Sequence, residues 1–495
     1  MADTVWVLGD QLDRRGAALR TAMPGETTVL LVESAGIAGA RQWHRQRLHV
    51  VLAAMRRLAE QLRGEGFDVD LRHAATLAEG VRAHVAERAP GAVCVAEPTS
   101  WDARRTVERL GCKVLRDDRF LCHYEEFAAW ARDRPSLRLG DFYRAQRRRH
   151  GYLMDGDRPA GGRWSLDDEN RRPPPRDPID WPRPPVVPLD ELDREVLAGV
   201  PPSAFGDDPT GVWPTTRGHA LALLDHVVEE VLPGFGPYED AMLAGEWRLR
   251  HTLLSSSLNL GLLHPREVCG RVEEAYRSGA VPLASAEGLL RQVLGWREYV
   301  WGVYWLWMPA YRASNELRAR RPLPPVLTGA PTEMRCVAAA VDGVRARAYA
   351  HHIQRLMVLG NLCLLAGVRP RELVEWMWGS FVDGAEWVML PNVVGMALHA
   401  DGGRMASKPY AAGGNYVDRM SDYCGSCAFD PRARVGDDAC PFTSLYWDFL
   451  ARHRERFERS HRVALQVRGL DRLRDLDAVR ERARTVLDRL DRGAL

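Results

Sequence analysis

A chain of 495 residues, 46% hydrophobic and 27% charged, is too long for one small core and too ordinary in composition for a disordered or fibrous protein. Its formal net charge of +2 excludes a global basic field as the basis of nucleic-acid binding. Nine cysteines, an odd number, argue against a secreted disulfide scaffold and suit a reducing, cytoplasmic setting.

The first residues lack a basic stretch followed by a long apolar run, so no secretory signal is expected. Residues 4–8 predict a buried strand that ends at Gly9, Asp10 and Gln11. Residues 29–33 predict the next strand, ending at Glu33 and Ser34. A long helix is expected over 41–63, then short strands over 67–71 and 92–96 with helices between. Apolar strands alternating with helices predict a parallel, Rossmann-like sheet in an α/β domain over 1–135. Ligands gather at the carboxyl ends of such strands. No GxGxxG is present, so a dinucleotide in this domain is not expected. Arg144, Arg147, Arg148, Arg149 and His150 form a local basic run, either a phosphate contact or a solvated helix face.

The proline-rich stretch from Gly161 to Pro188 predicts a linker, within a boundary region of 136–214. After Thr215 the periodicity is helical almost to the end, which predicts a large all-α domain over 215–495. The most apolar aromatic run, Tyr299 to Trp307, is too short to span a bilayer.

Several stretches of the helical domain carry chemistry. Around His251, Thr252, Ser255, Ser256 and Ser257, hydroxyls at the start of a helix offer donors to an anion such as a pyrophosphate. Trp296, Arg297 and Glu298 set stacking and hydrogen-bonding groups side by side. His351 and His352, adjacent on an expected helix over 337–360, point about 100° apart, so one metal is a poor fit and proton donation a better one. Asp383 and Asn392 lie in a turn-rich stretch suited to the edge of a heterocycle. Tyr410 and Tyr416, beside glycine-rich loops, suit stacking on bases. Cys424, Cys427 and Cys440 lie within seventeen residues, the first two as C-x2-C, and predict a shared metal centre. A fourth ligand must come from Cys336, Cys363 or a more distant cysteine, and the site holds either zinc or an iron–sulfur cluster.

Taken together in order, these motifs resemble the photolyase/cryptochrome superfamily. Gly9 to Leu12, Glu33-Ser34, His44 to Leu48, Gly161 to Trp164, Glu169 to Arg171, His351 to Arg355 and the cysteine pattern narrow the resemblance to its bacterial iron–sulfur branch, the prokaryotic (6-4) photolyases and related cryptochromes. The resemblance implies non-covalent FAD in the helical domain, its pyrophosphate at His251, Thr252, Ser255, Ser256 and Ser257 and its ring at Asp383 and Asn392. It implies a 6,7-dimethyl-8-ribityllumazine antenna at Gly9, Asp10, Gln11, Glu33 and Ser34, with His44 a further candidate. It implies a [4Fe–4S] cluster whose first ligand lies shortly before the histidine pair, which selects Cys336 to join Cys424, Cys427 and Cys440.

The expected activity is light-driven repair of (6-4) photoproducts in UV-damaged DNA. The expected catalytic acid is His352, with His351 second; Glu298 and Tyr410 are expected to hold the lesion, and Trp376 or Trp378 to relay electrons. A monomer with no obligate protein partner and no membrane contact is expected. The alternative is a light-sensing cryptochrome without repair, and a third reading is a cofactor-free nucleic-acid binder.

Overall fold

The computed structural model describes every residue except Met1, Ala2, Arg176 and Pro178, the last two of which belong to the expected linker. Five strands, β1 (Asp3–Val7), β2 (Thr27–Ser34), β3 (Asp68–Ala74), β4 (Val93–Ala96) and β5 (Lys113–Leu115), form one parallel sheet in the order β3-β2-β1-β4-β5. The sequence reading lacked β5, whose three residues give too short an apolar run to stand out. In β2 six successive residues are buried, the pattern of a strand covered on both faces. The order reverses between β1 and β4, and the crevice beyond their carboxyl ends is where open α/β sheets bind ligands.

The helix Arg45–Gly64 packs on this sheet and also ties it to the rest of the chain. His44 caps it through Nδ1, and its Nε2 lies 2.9 Å from the Arg345 carbonyl. The Gln46 amide donates to the Ala346 carbonyl at 2.8 Å, and Arg47 donates to the Val382 carbonyl at 3.0 Å. The completely buried His44 is therefore a structural pin rather than a free antenna ligand.

The helices Tyr124–Ala131 and Leu139–His150 pack into the helical core, through Phe127 and Phe142 beside Tyr299. The boundary expected at residue 135 thus falls between two helices that share one core. The linker is anchored as well: the Asn170 side chain is buried, and its amide donates to the Ala284 carbonyl at 3.2 Å.

The helical region is interrupted at three places that matter. The segment 283–307 comprises Leu283–Leu290, a π-helical turn Arg291–Arg297, and Glu298–Trp307. The Ser255–Leu260 helix is only six residues long and ends at Gly261 with φ +84°. That glycine meets the α/β domain, where Leu12 N–H donates to the Leu260 carbonyl at 2.8 Å. Finally, the Arg335–Arg347 helix stops at Ala348, whose φ is +51°. Tyr349 and Ala350 are non-helical, and a new helix begins around His352 and runs as a π-helix through Gln354–Gly360. The two histidines therefore sit at a chain break, where π-type turns often mark functional sites. No helix among the described residues is long and apolar enough to cross a membrane.

Candidate active site

A cavity of about 320 Å³ opens between the Ser255–Leu260 helix, the 291–297 turn and the segments around 352 and 383–397. Apolar walls from Leu289, Val293, Val300, Met377 and Met396 surround a few converging polar groups, the composition of a cofactor site. Its polar floor is an ion pair: Arg355 Nη1 lies 2.9 and 3.1 Å from the two Asp383 carboxylate oxygens. Ser255 donates its hydroxyl to Asp383 at 2.8 Å, and the Asn259 amide donates to the Asp383 carbonyl at 2.9 Å. Asn392 lines the cavity and donates to the Val388 carbonyl at 2.7 Å, one turn back.

Polar atoms around this space lack partners. His251 Nε2, Arg297 Nε, the Ser256 and Ser257 hydroxyls and both ring nitrogens of His351 are buried without a hydrogen bond among the described residues. A buried unpartnered polar atom costs about 1–3 kcal/mol, so a cluster of them beside a cavity points to a polar ligand. Of the six, His251 and Arg297 line the cavity itself. Ser256 and Ser257 are not in its wall, so of the four expected hydroxyls Thr252 and Ser255 line it. The short helix behind them adds little of the expected helix-end donor field.

The histidine pair divides into two environments. His351 is buried, and its ring stacks on His251 with centroids 4.4 Å apart and planes at 12°. His352 lines the cavity and presents its surface to that open space. Burial, followed by the Arg355 cation, pulls the His352 pKa down to about 4. Burial, followed by His352 and Arg355, pulls His251 down to about 3. Both rings are neutral at pH 7.

Glu298 does not face the cavity. It is fully buried, with Arg297 at 2.6 Å on one oxygen and Cys122 N–H donating to the other at 2.9 Å. Its expected contact with a lesion is corrected to a structural tie between the helical core and the end of the sheet domain. Tyr410 is half-buried and outside the cavity wall, within electrostatic reach of Asp167, Arg171 and Asp240. Trp376 and Trp378 also lie off the wall; Trp376 packs on Phe381 and Trp378 beneath Arg41. The tryptophans that reach the cavity are Trp296 and Trp387.

Two acidic cavity residues, Glu239 and Asp240, belong to no sequence motif and were not foreseen. Burial pushes Glu239 up to about 7 and Asp240 up to about 6. Gln292 donates to Glu239 at 2.5 Å. Arg355 was foreseeable only as the last letter of the histidine motif; its pairing with Asp383 links positions 28 residues apart.

At the sheet edge the expected antenna residues are engaged with the protein. The Gln11 amide bridges the β1–β4 crevice, donating to the Ala96 and Glu97 carbonyls at 3.0 and 3.2 Å. Thr99 donates to the Asp10 carboxylate, and Arg119 to the Asp10 carbonyl. Glu33 accepts from Arg56 at 2.8 and 3.0 Å. Ser34 caps a short helix through Ile37 N–H and donates to the Ala75 carbonyl. At Gly9 an added Cβ would meet Met55 Sδ at 3.1 Å.

The cysteines converge as a group of four. Cys336, Cys424, Cys427 and Cys440 lie within electrostatic reach of one another, and burial followed by the neighbouring sulfurs raises Cys336. Cys363 is wholly buried with burial alone acting on it, and lines a different cavity. Among the described residues, no three His, Cys, Asp or Glu side chains are grouped tightly enough for one metal ion.

Residues 5–208 match the family described as Deoxyribodipyrimidine photo-lyase-related protein. The chain is 42% identical over 479 residues to a (6-4) photolyase of Agrobacterium fabrum, covering 94% of each sequence. Its fold matches a bacterial class III photolyase from Agrobacterium tumefaciens with a TM-score of 0.57 at 18% identity, covering 99% of this chain and 98% of that one. It also matches a Synechocystis cryptochrome, with a TM-score of 0.52 at 16% identity over 82% of each chain. The parallel sheet, the helical cavity and a relative of this identity over nearly the whole length together show that the chain belongs to the photolyase-related family.

Proposed function

We propose that this protein is a light-driven DNA photolyase of the (6-4) type, with FAD in the helical cavity. The observation that carries the reading is the cavity itself, with unpartnered donors around a buried Arg355–Asp383 pair. When bound, FAD supplies light absorption and a transferable electron. The residues that would hold it are His251, Thr252 and Ser255 for the pyrophosphate, and Arg355, Asp383 and Asn392 for the ring. The apolar walls exclude water from the reacting groups.

A damaged base must leave the duplex to reach such a cavity. Tyr410 and Tyr416, near Asp240, supply aromatic faces beside the opening. His352 is the proposed proton donor at the lesion, but with a pKa of about 4 it is neutral in the free protein. Donation at neutral pH requires substrate to raise that value, as an anionic nucleotide beside the ring would do. His351, behind His251, is placed to support the ring positions rather than to meet the lesion.

A [4Fe–4S] cluster on Cys336, Cys424, Cys427 and Cys440 completes the proposal, supported by the electrostatic reach of the four sulfurs on one another. The lumazine antenna rests on the resemblance alone: Asp10, Gln11, Glu33 and Ser34 are bonded within the protein.

The deciding experiment illuminates purified protein with (6-4) and cyclobutane oligonucleotides side by side, in wild type and His352→Ala. Wild type is expected to restore the (6-4) substrate, and the variant to retain flavin but lose at least about 100-fold in repair. Flavin without repair of either lesion would instead support a light sensor, and an apoprotein that takes up no flavin would support the cofactor-free reading.

A further inference from the structure

A second cavity of about 400 Å³ lies where the linker crosses the Leu139–His150 helix, walled by Tyr143, Arg144, Arg163, Trp164 and Arg291. The linker is fixed there: Arg147, itself buried, donates to the Trp164 carbonyl at 3.1 Å and to the Tyr152 carbonyl at 3.2 Å. Trp164 remains partly exposed, with the guanidiniums of Arg148, Arg147 and Arg144 at 4.7, 5.3 and 6.0 Å from its ring centre. Arg163 and Arg291 are neutralised by Asp168 and Asp167. Arg144 and Arg148 are different: both are exposed, and neither has a carboxylate within 4.0 Å among the described residues. The groove adjoins the active site: its Arg291 lies 3.8 Å from Glu239 in the active-site wall.

We propose that this arginine–tryptophan groove binds the phosphodiester backbone of DNA beside the nucleotide held in the active-site cavity. The inference rests on the DNA-repair reading of that cavity and adds the path taken by the strand. Two unpaired guanidiniums, held one helical turn apart, present donors to successive phosphates, while Trp164 supplies a face for a sugar or an unstacked base.

The test is the salt dependence of binding to a duplex carrying one (6-4) lesion, for wild type, R144A/R148A and R144Q/R148Q. Each lost phosphate contact lowers the slope of log affinity against log salt by about 0.9, so each double variant is expected to lose about 1.8. Flavin content, and repair of a (6-4) dinucleotide that lacks flanking phosphates, are expected to stay at the wild-type level. An unchanged slope in both variants would overturn the groove, as would an equal loss on the dinucleotide. If wild type repairs nothing yet the slope still falls, the groove stands and the repair reading fails.

Discussion

His251 and Arg297 line the helical cavity, and their Nε2 and Nε atoms are buried with no hydrogen-bond partner among the described residues. At the carboxyl edge of the sheet, Asp10, Gln11, Glu33 and Ser34 all carry bonds to their own chain. Both regions were expected to hold a chromophore, and both lie where their architecture commonly binds ligands. The difference teaches that topology locates a possible site, whereas unsatisfied polar groups identify one whose folding leaves binding capacity unused. It also gives the two regions opposite mutational behaviour.

The largest effect is expected at Asp383. Asp383→Ala leaves the Arg355 cation in the cavity without its partner and removes the acceptor of Ser255. Breaking one side of a buried pair costs about 3–5 kcal/mol. Flavin retained per mole of purified protein should fall by more than about ten-fold, while Asp10→Ala should leave it unchanged. Equal flavin in both variants would erase the contrast between the regions.

The cysteines sharpen the same point without reference to flavin. Cys336→Ala is expected to abolish bound iron, and Cys363→Ala to preserve it, because only Cys336 lies among the other three sulfurs. Stoichiometric zinc with no iron in the wild-type protein would replace the cluster with a different metal centre.

How far the sequence revealed this division depends on the range over which each feature is determined. The parallel sheet was legible because apolar strands and crossover helices are local patterns, as β2 illustrates. Asp383 and Asn392 were legible because their motif is short. The role of Glu298 was misread because its neighbour Cys122 lies 176 positions away and closes off the carboxylate. The break at Ala348 was missed because nothing in a run of alanines and arginines predicts a left-handed residue there. Glu239 and Asp240 reach the cavity through tertiary packing alone, so no spacing announced them.

Those two acids make the cavity pH-sensitive. Glu239 has its pKa raised from 4.5 to about 7, chiefly by burial. Between those values the folded state binds more protons than the unfolded state, so this group's stabilisation is present below about pH 4.5 and is lost as pH rises through 7. Glu239→Gln mimics the protonated form. It should be more stable than wild type by roughly 2–3 kcal/mol at pH 8, with the gain vanishing near pH 4.5. Urea unfolding at the two pH values measures this, and a constant difference would show that Glu239 is not buried as a costly charge.

The smallest effect is expected at the sheet edge, where it separates structural from ligand-binding roles. Glu33 is almost inaccessible and accepts two bonds from Arg56, so Glu33→Gln removes charge from a pair that ties β2 to the Arg45–Gly64 helix. The amide keeps one acceptor, which limits the loss to about 1–2 kcal/mol. The urea midpoint should fall by that amount while flavin and iron contents hold. Adding lumazine to both proteins then distinguishes the roles, because a pigment held by this carboxylate would bind wild type and not the variant. Equal binding, or none, would assign Glu33 to the fold. Lost binding with unchanged stability would mean that the carboxylate exchanges Arg56 for a ligand, and that bonds within the protein do not exclude a site there.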